Sequence, residues 1–246
     1  MKIEGILFDI NGTLIDIHTD ENYEEIYRSL SNFLSYHGIA IDRWALRDEY
    51  FGIMSEQKKT SGEAYPEFNV VEVWREFLRR RSVFQRSMPG RTGESLPLFM
   101  AEMFRSMSLF RLQLYPDVRT TLDRLYQGFK LAALSDAQSA WAMPEMRAVG
   151  IDHYFSPIVV SGDLGFRKPD KRIFELALKG MGLSPKSVLF VGNDMYRDIY
   201  GAREHGMKTV FFSSNQGRKS MDGVEPDYII YRFSELGQAI EFLKNK

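Results

Sequence analysis

Polar groups able to do chemistry sit just past short apolar runs in this 246-residue chain. They are the carboxylate of Asp9, the hydroxyl of Ser135 with the carboxylate of Asp136, the ammonium of Lys168, and Asn193 with Asp194. Asp198 follows one helical turn on. Crowding Asp9 with Asp194 and Asp198 is unfavourable unless a cation intervenes, because like charges raise one another's pKa. A hard divalent ion with oxygen ligands relieves that repulsion, and Mg²⁺ suits carboxylates combined with a substrate phosphate. Lys168 adds a fixed positive charge and Ser135 a donor to a phosphoryl oxygen. In such a setting a carboxylate can attack phosphorus and form an aspartyl-phosphate. Singly, each residue has an ordinary explanation: an Asp after a strand caps a turn, and a Lys before Pro is a solvated loop charge. Their shared position at strand ends, in order along the chain, is what argues for a site.

The elements that must position them alternate. Lys2 to Phe8 reads as a short buried strand stopped at Asp9-Ile10-Asn11-Gly12-Thr13, where Gly12 permits a tight turn. After Tyr115-Pro116-Asp117 come helix, strand (Phe129–Leu134), helix, strand (Ile158–Val160), and a helix around Ile173–Leu178. Strands at Val188–Val191, Thr209–Phe212 and Tyr228–Ile230 follow, with a helix over Ile199–His205 and a last one from about Ser234. Short apolar strands alternating with helices predict a parallel sheet covered on both faces, and ligands of such sheets bind beyond the carboxyl ends of the strands. Residues 20–112 instead carry helical stripes: Ile26, Leu30, Phe33 and Leu34; Val70, Val73, Trp74, Phe77 and Leu78; Met100, Met103, Phe104 and Met107. No strand is predicted there.

Composition narrows the function classes. Hydrophobic residues make up 44% and charged residues 26%, which excludes a disordered chain. The 32 Lys and Arg against 33 Asp and Glu argue against a nucleic-acid binder or a polybasic membrane anchor. Without Cys there is no disulfide framework and no thiolate chemistry. No apolar run is long enough for a membrane span, and the first strand is too short and too early for a signal peptide, so a cytoplasmic protein is expected.

Asp9-Ile10-Asn11-Gly12-Thr13-Leu14, Leu134-Ser135-Asp136, Arg167-Lys168-Pro169-Asp170 and Gly192-Asn193-Asp194 with Asp198 resemble the four ordered motifs of the haloacid dehalogenase-like (HAD) hydrolases. The resemblance spans the chain. It implies an α/β fold, a Rossmann-like doubly wound parallel sheet core with an all-helical cap domain inserted after the first strand. The core would comprise residues 1–16 and 113–246, the cap residues 17–112. By the same resemblance Asp9 is the nucleophile. Mg²⁺ is held by Asp9, Asn11 (through its backbone carbonyl), Asp194 and Asp198, the last supporting the metal or Lys168. Thr13, Ser135, Asp136 and Lys168 bind the phosphate of a small phosphorylated substrate.

Asn11 departs from the pattern, because the family's phosphatases carry there a second Asp that protonates the leaving group and activates water. A carboxamide does neither, and losing a general acid–base costs typically about 10²–10⁴-fold in rate. The leading expectation is a slow or specialised phosphatase, with Asp16 and His18 the nearest substitutes in sequence. Next comes a non-catalytic phosphate- and metal-binding module, then a dehalogenase, whose relatives also lack that Asp but need no metal. Asn11-Gly12 is also a deamidation-prone pair. Asp136 stands where an Asn is common and would repel phosphate unless it turns away or bonds to backbone. Arg79-Arg80-Arg81 reads as a dipole-complementing helix end, and Arg91 as a polar residue near a cap linker.

Overall fold

The computed structural model describes residues 2–81 and 95–245. Strand β1 (Gly5–Phe8) is buried along its whole length, as a strand covered on both faces must be. Ile6 and Phe8 pack into one helical layer and Leu7 into the other. β1 is central because it pairs in parallel with two strands: β4 (Lys130–Ser135), with Phe8 opposite Ala133, and β6 (Val188–Gly192), with Phe8 opposite Val191. Adding β5 (Ile158–Val160), β7 (Lys208–Phe212) and β8 (Tyr228–Ile230) gives a six-stranded parallel sheet of order β5-β4-β1-β6-β7-β8. Helices α5 (Val118–Leu125) and α9 (Leu236–Asn245) cover one face; α7 (Lys171–Met181) and α8 (Gly201–Glu204) cover the other. The predicted α/β architecture is therefore present.

Between β1 and α5 the chain leaves the sheet. β2 (Ile15–Thr19) runs out and β3 (Leu109–Leu114) returns as its antiparallel partner, with Ile15 opposite Leu114. Helices α1 (Glu24–Tyr36), α2 (Arg43–Thr60), α3 (Val70–Arg80) and α4 (Ser95–Ser108) lie between them. They surround a separate aromatic core in which Tyr50 stacks on Phe104 at 4.6 Å and Trp74 fills the remaining space. Trp141, from helix α6 (Ser139–Ala148) of the sheet portion, closes this core and donates to Ala101 O at 2.8 Å.

One of these elements differs from the sequence expectations. β3 begins inside the stretch expected to contain no strand; partial burial of Leu109, Leu112 and Leu114 is all its pattern offers. α2 falls in the stretch expected to be helical, but no stripe singled it out, because Trp44 and Phe51 blur a stripe of only Leu46, Tyr50 and Ile53. Its start is nonetheless well marked, with Asp42 accepting from the amides of Trp44 and Ala45. Arg91 lies outside the described residues. Among those described, no helix is long and apolar enough to cross a membrane.

Candidate active site

Strand order assembles the site. Asp9 is the first residue beyond β1 and stays in the ladder through its amide, which donates to Val191 O at 2.9 Å. Its neighbours in space therefore come from the ends of β4 (Ser135, Asp136) and β6 (Asn193, Asp194). The chain then turns sharply at Gly12, whose φ of +86° favours glycine. A Cβ there would also stand 2.3 Å from the Asn193 amide nitrogen. The turn returns Thr13 to Asp9: its hydroxyl lies 2.9 Å from Asp9 Oδ2 and 3.1 Å from Asn193 Oδ1. Thr13 is thus engaged by the nucleophile candidate itself.

Lys168 is the hub. Its buried ammonium donates to Asp9 Oδ1 (2.6 Å), Asp198 Oδ1 (2.8 Å) and Leu134 O (3.2 Å), which accounts for all three of its N–H bonds. Burial alone would lower its pKa; Asp198, Asp9 and Asp136 outweigh burial and raise it, so the ammonium is fixed. Asp198 is pushed up to about 6 by burial, with Lys168 opposing the rise. Its second oxygen accepts from the amides of Asn193 and Asp194 at 3.0 Å, tying Lys168 to the end of β6. Asp136, expected to repel a phosphate unless bonded to backbone, accepts from the Lys168 amide at 2.9 Å. Burial raises its pKa, and its Oδ2 is buried without a donor. Ser135, the last residue of β4, is buried beside it.

Asp194 serves the turn that follows. One oxygen accepts from the amides of Tyr196 (3.0 Å) and Arg197 (2.8 Å), the other from the Arg197 guanidinium (3.0 Å) and the Arg218 amide (3.1 Å). Burial would raise its pKa, but these bonds and the Arg197 charge hold it below the ordinary value. Asn11 Oδ1 is buried with no partner.

These residues fit a hard cation in two respects. Asp9 keeps unused lone pairs and Asn11 Oδ1 keeps both of its own, so the available donors are oxygens. Asp9, Asp136, Asp194 and Asp198 also carry more negative charge than Lys168 and Arg197 offset. Among the described residues no group of three or more His, Cys, Asp or Glu could hold a metal by itself. Amide and water oxygens would have to complete any shell.

Among the described residues, the inserted helices touch the site through the loop between α2 and α3. Glu67 N donates to Gly165 O, Arg167 N donates to Tyr65 O, and Asn69 Nδ2 donates to Gly162 O. Gln138, two residues past Asp136, accepts from Val70 N (2.8 Å) and donates to Phe68 O (2.7 Å). Lys168 is therefore preceded by a segment stitched to residues 65–70. Asp16 and His18 do not reach the cluster: Asp16 is held by Gln113, Arg111 and Gln216, and His18 lies against Phe110.

Sequence reasoning missed Arg197 and Gln138. Arg197 was legible in principle, because a cation three residues after one acid and next to another in a first helical turn can pair with the first. Gln138 carried no signal, since its partners are backbone atoms about 70 residues away.

A family model described as a haloacid dehalogenase-like hydrolase matches residues 3–206. A glyceraldehyde 3-phosphate phosphatase from Methanothermobacter thermautotrophicus is 28% identical over 229 residues, covering 91% of each chain. The crystal structure of a 2-haloacid dehalogenase from Pseudomonas syringae pv. Tomato superposes with a TM-score of 0.69 at 20% identity, covering 98% of this chain and 99% of that one. A HAD phosphatase from Thermococcus onnurineus superposes with a TM-score of 0.59 at 22% identity, covering 97% and 98%. At these identities the structural likeness speaks for the fold.

Proposed function

The chain belongs to the haloacid dehalogenase-like hydrolases, and on that footing we propose that it is a phosphohydrolase of a small phosphorylated substrate, working through Asp9. The observation that carries this reading is the contact of 2.6 Å between Asp9 Oδ1 and the ammonium of Lys168, with both side chains almost wholly buried. A buried carboxylate paired with a fixed cation at a strand end is suited to nucleophilic attack. The phosphatase relatives support the phosphoryl group as the target.

In this mechanism an Asp9 oxygen attacks phosphorus, the bond from phosphorus to the leaving oxygen breaks, and that oxygen departs with the electron pair. Water then attacks phosphorus, the Asp9–phosphorus bond breaks, and carboxylate and inorganic phosphate return, the proton passing to solvent. Ser135 donates to the phosphoryl group, Thr13 orients Asp9 through one oxygen, and Lys168 holds its other oxygen in place at 2.6 Å. Mg²⁺, held by Asp9, Asn11 and Asp194 with Asp198 behind them, would supply positive charge against the phosphoryl oxygens. Asn11 can neither protonate a leaving alkoxide nor deprotonate water, so good leaving groups are favoured and the second step is slow. Residues 17–112 act as a cap that excludes water, over a core of residues 1–16 and 113–246.

The test is hydrolysis of para-nitrophenyl phosphate, with and without Mg²⁺, by the native protein, Asn11→Asp and Asp9→Asn. Turnover by the first two but not the third is expected. Turnover retained in Asp9→Asn would overturn the assignment. Asn11 favours one second reading, a dehalogenase, because a halide leaves without needing a proton. Chloride release from 2-chloropropionate by a protein inert to the aryl phosphate would establish that reading instead.

A further inference from the structure

Lys168 cannot be the main receptor for an incoming anion, because all three of its N–H bonds end on protein oxygens. Arg197 is differently placed. Its guanidinium makes one hydrogen bond, to Asp194 Oδ2 at 3.0 Å, and its NH1 stands 3.6 Å from Asp136 Oδ2, too far for a second. A guanidinium has five N–H donors in a planar fork, so most of this one remain available. The side chain is 41% exposed, unlike the buried Lys168. Asp194 follows β6 and Asp136 follows β4, the two strands that flank β1. A guanidinium bridging them reaches across the carboxyl end of the strand that carries Asp9. Asp9 also lies among the carboxylates that raise its pKa.

We propose that Arg197 is the substrate-anion receptor of this site, held by Asp194 on one side and facing Asp136 on the other, with its free N–H bonds directed to the phosphoryl oxygens. The inference rests on the phosphohydrolase reading and adds the residue that recognises the phosphoryl charge. Arginine suits this task because its fork matches two oxygens at once, whereas lysine offers a point charge. Because Arg197 is part of the chain, phosphate affinity has a component that persists without a divalent ion. The unpaired Asp136 Oδ2 keeps NH1 oriented by charge without consuming its hydrogen bond.

The experiment is titration of the native protein, Arg197→Gln and Arg197→Lys with inorganic phosphate by calorimetry, in EDTA and again in Mg²⁺. Steady-state hydrolysis of para-nitrophenyl phosphate is measured alongside, and thermal melting reports folding. We expect native protein to bind phosphate in EDTA, Arg197→Gln to lose about tenfold or more in both buffers, and Arg197→Lys to recover part of the loss. KM should rise more than kcat falls. Folded Arg197→Gln that binds phosphate as tightly as native overturns the proposal. Native protein that hydrolyses the aryl phosphate yet has no phosphate affinity in EDTA overturns it while sparing the phosphohydrolase reading. Native protein that neither binds nor hydrolyses defeats both.

Discussion

The ammonium of Lys168 joins Asp9 and Asp198 at 2.6 and 2.8 Å, and all three side chains are almost wholly buried. One cation thus serves the end of β1 and, through Asp198, the amides of Asn193 and Asp194 that end β6. Lys168→Met leaves two buried carboxylates without their charge partner. It should cost about 3–5 kcal/mol of stability in urea unfolding and abolish aryl phosphate turnover.

Gln138 bonds two backbone groups of the segment leading into α3, Val70 N and Phe68 O. Gln138→Leu leaves the buried Val70 N–H unpaired, which costs about 1–3 kcal/mol, and frees the half-buried Phe68 carbonyl. Hydrogen exchange should show the Val70 amide opening faster in the variant, while β1 amides keep the protection of the sheet.

Glu67 is buried against Ser161, and burial raises its pKa above the ordinary 4.5 although bonds from Phe68 N–H and the Ser161 hydroxyl oppose the rise. A carboxyl with a raised folded pKa holds its proton in the folded state after the unfolded chain has lost it. Stability from this group therefore falls as pH rises from 4.5 through the raised value. Glu67→Gln can accept from Phe68 N and donate to Ser161 Oγ. It should match or exceed native stability at neutral pH and flatten that acid-side slope in urea unfolding curves.

Asn11-Gly12 is chemically prone to deamidation, which requires the Gly12 nitrogen to attack the Asn11 side chain. Here that nitrogen donates to Ile15 O at 2.8 Å within a buried turn. Peptide mapping of folded protein after prolonged storage should find Asn11 intact, and deamidation should appear once the chain is unfolded in urea.

Much of this arrangement was readable beforehand for physical reasons. Continuous apolar runs such as Val188 to Val191 can only be buried strands among helices, and the polar residues after them must then share one edge of the sheet. That logic set Asp9, Ser135, Asp136 and Lys168 at one edge of the sheet, where Lys168 bonds Asp9 through its ammonium and Asp136 through its amide. It failed where packing rather than periodicity sets the structure. β3 exists because β2 needs a partner, and the short stripe of α2 is blurred by exposed Trp44 and half-buried Phe51. Gln138 matters through partners that the tertiary fold brings from about 70 residues away, so its residue type alone did not mark it; Arg197 pairs locally with Asp194, and only its approach to Asp136 depends on the fold.

The most direct test of the account is acid-quenched mass spectrometry of the peptide carrying Asp9 during turnover of para-nitrophenyl phosphate. Because Asn11 cannot activate water, native protein should accumulate one phosphoryl group on that peptide. Asn11→Asp should turn over about 10²–10⁴-fold faster with little adduct, and Asp9→Asn should show none. Turnover by native protein through a site that never carries the phosphoryl group, or an adduct that survives in Asp9→Asn, would contradict the central claim.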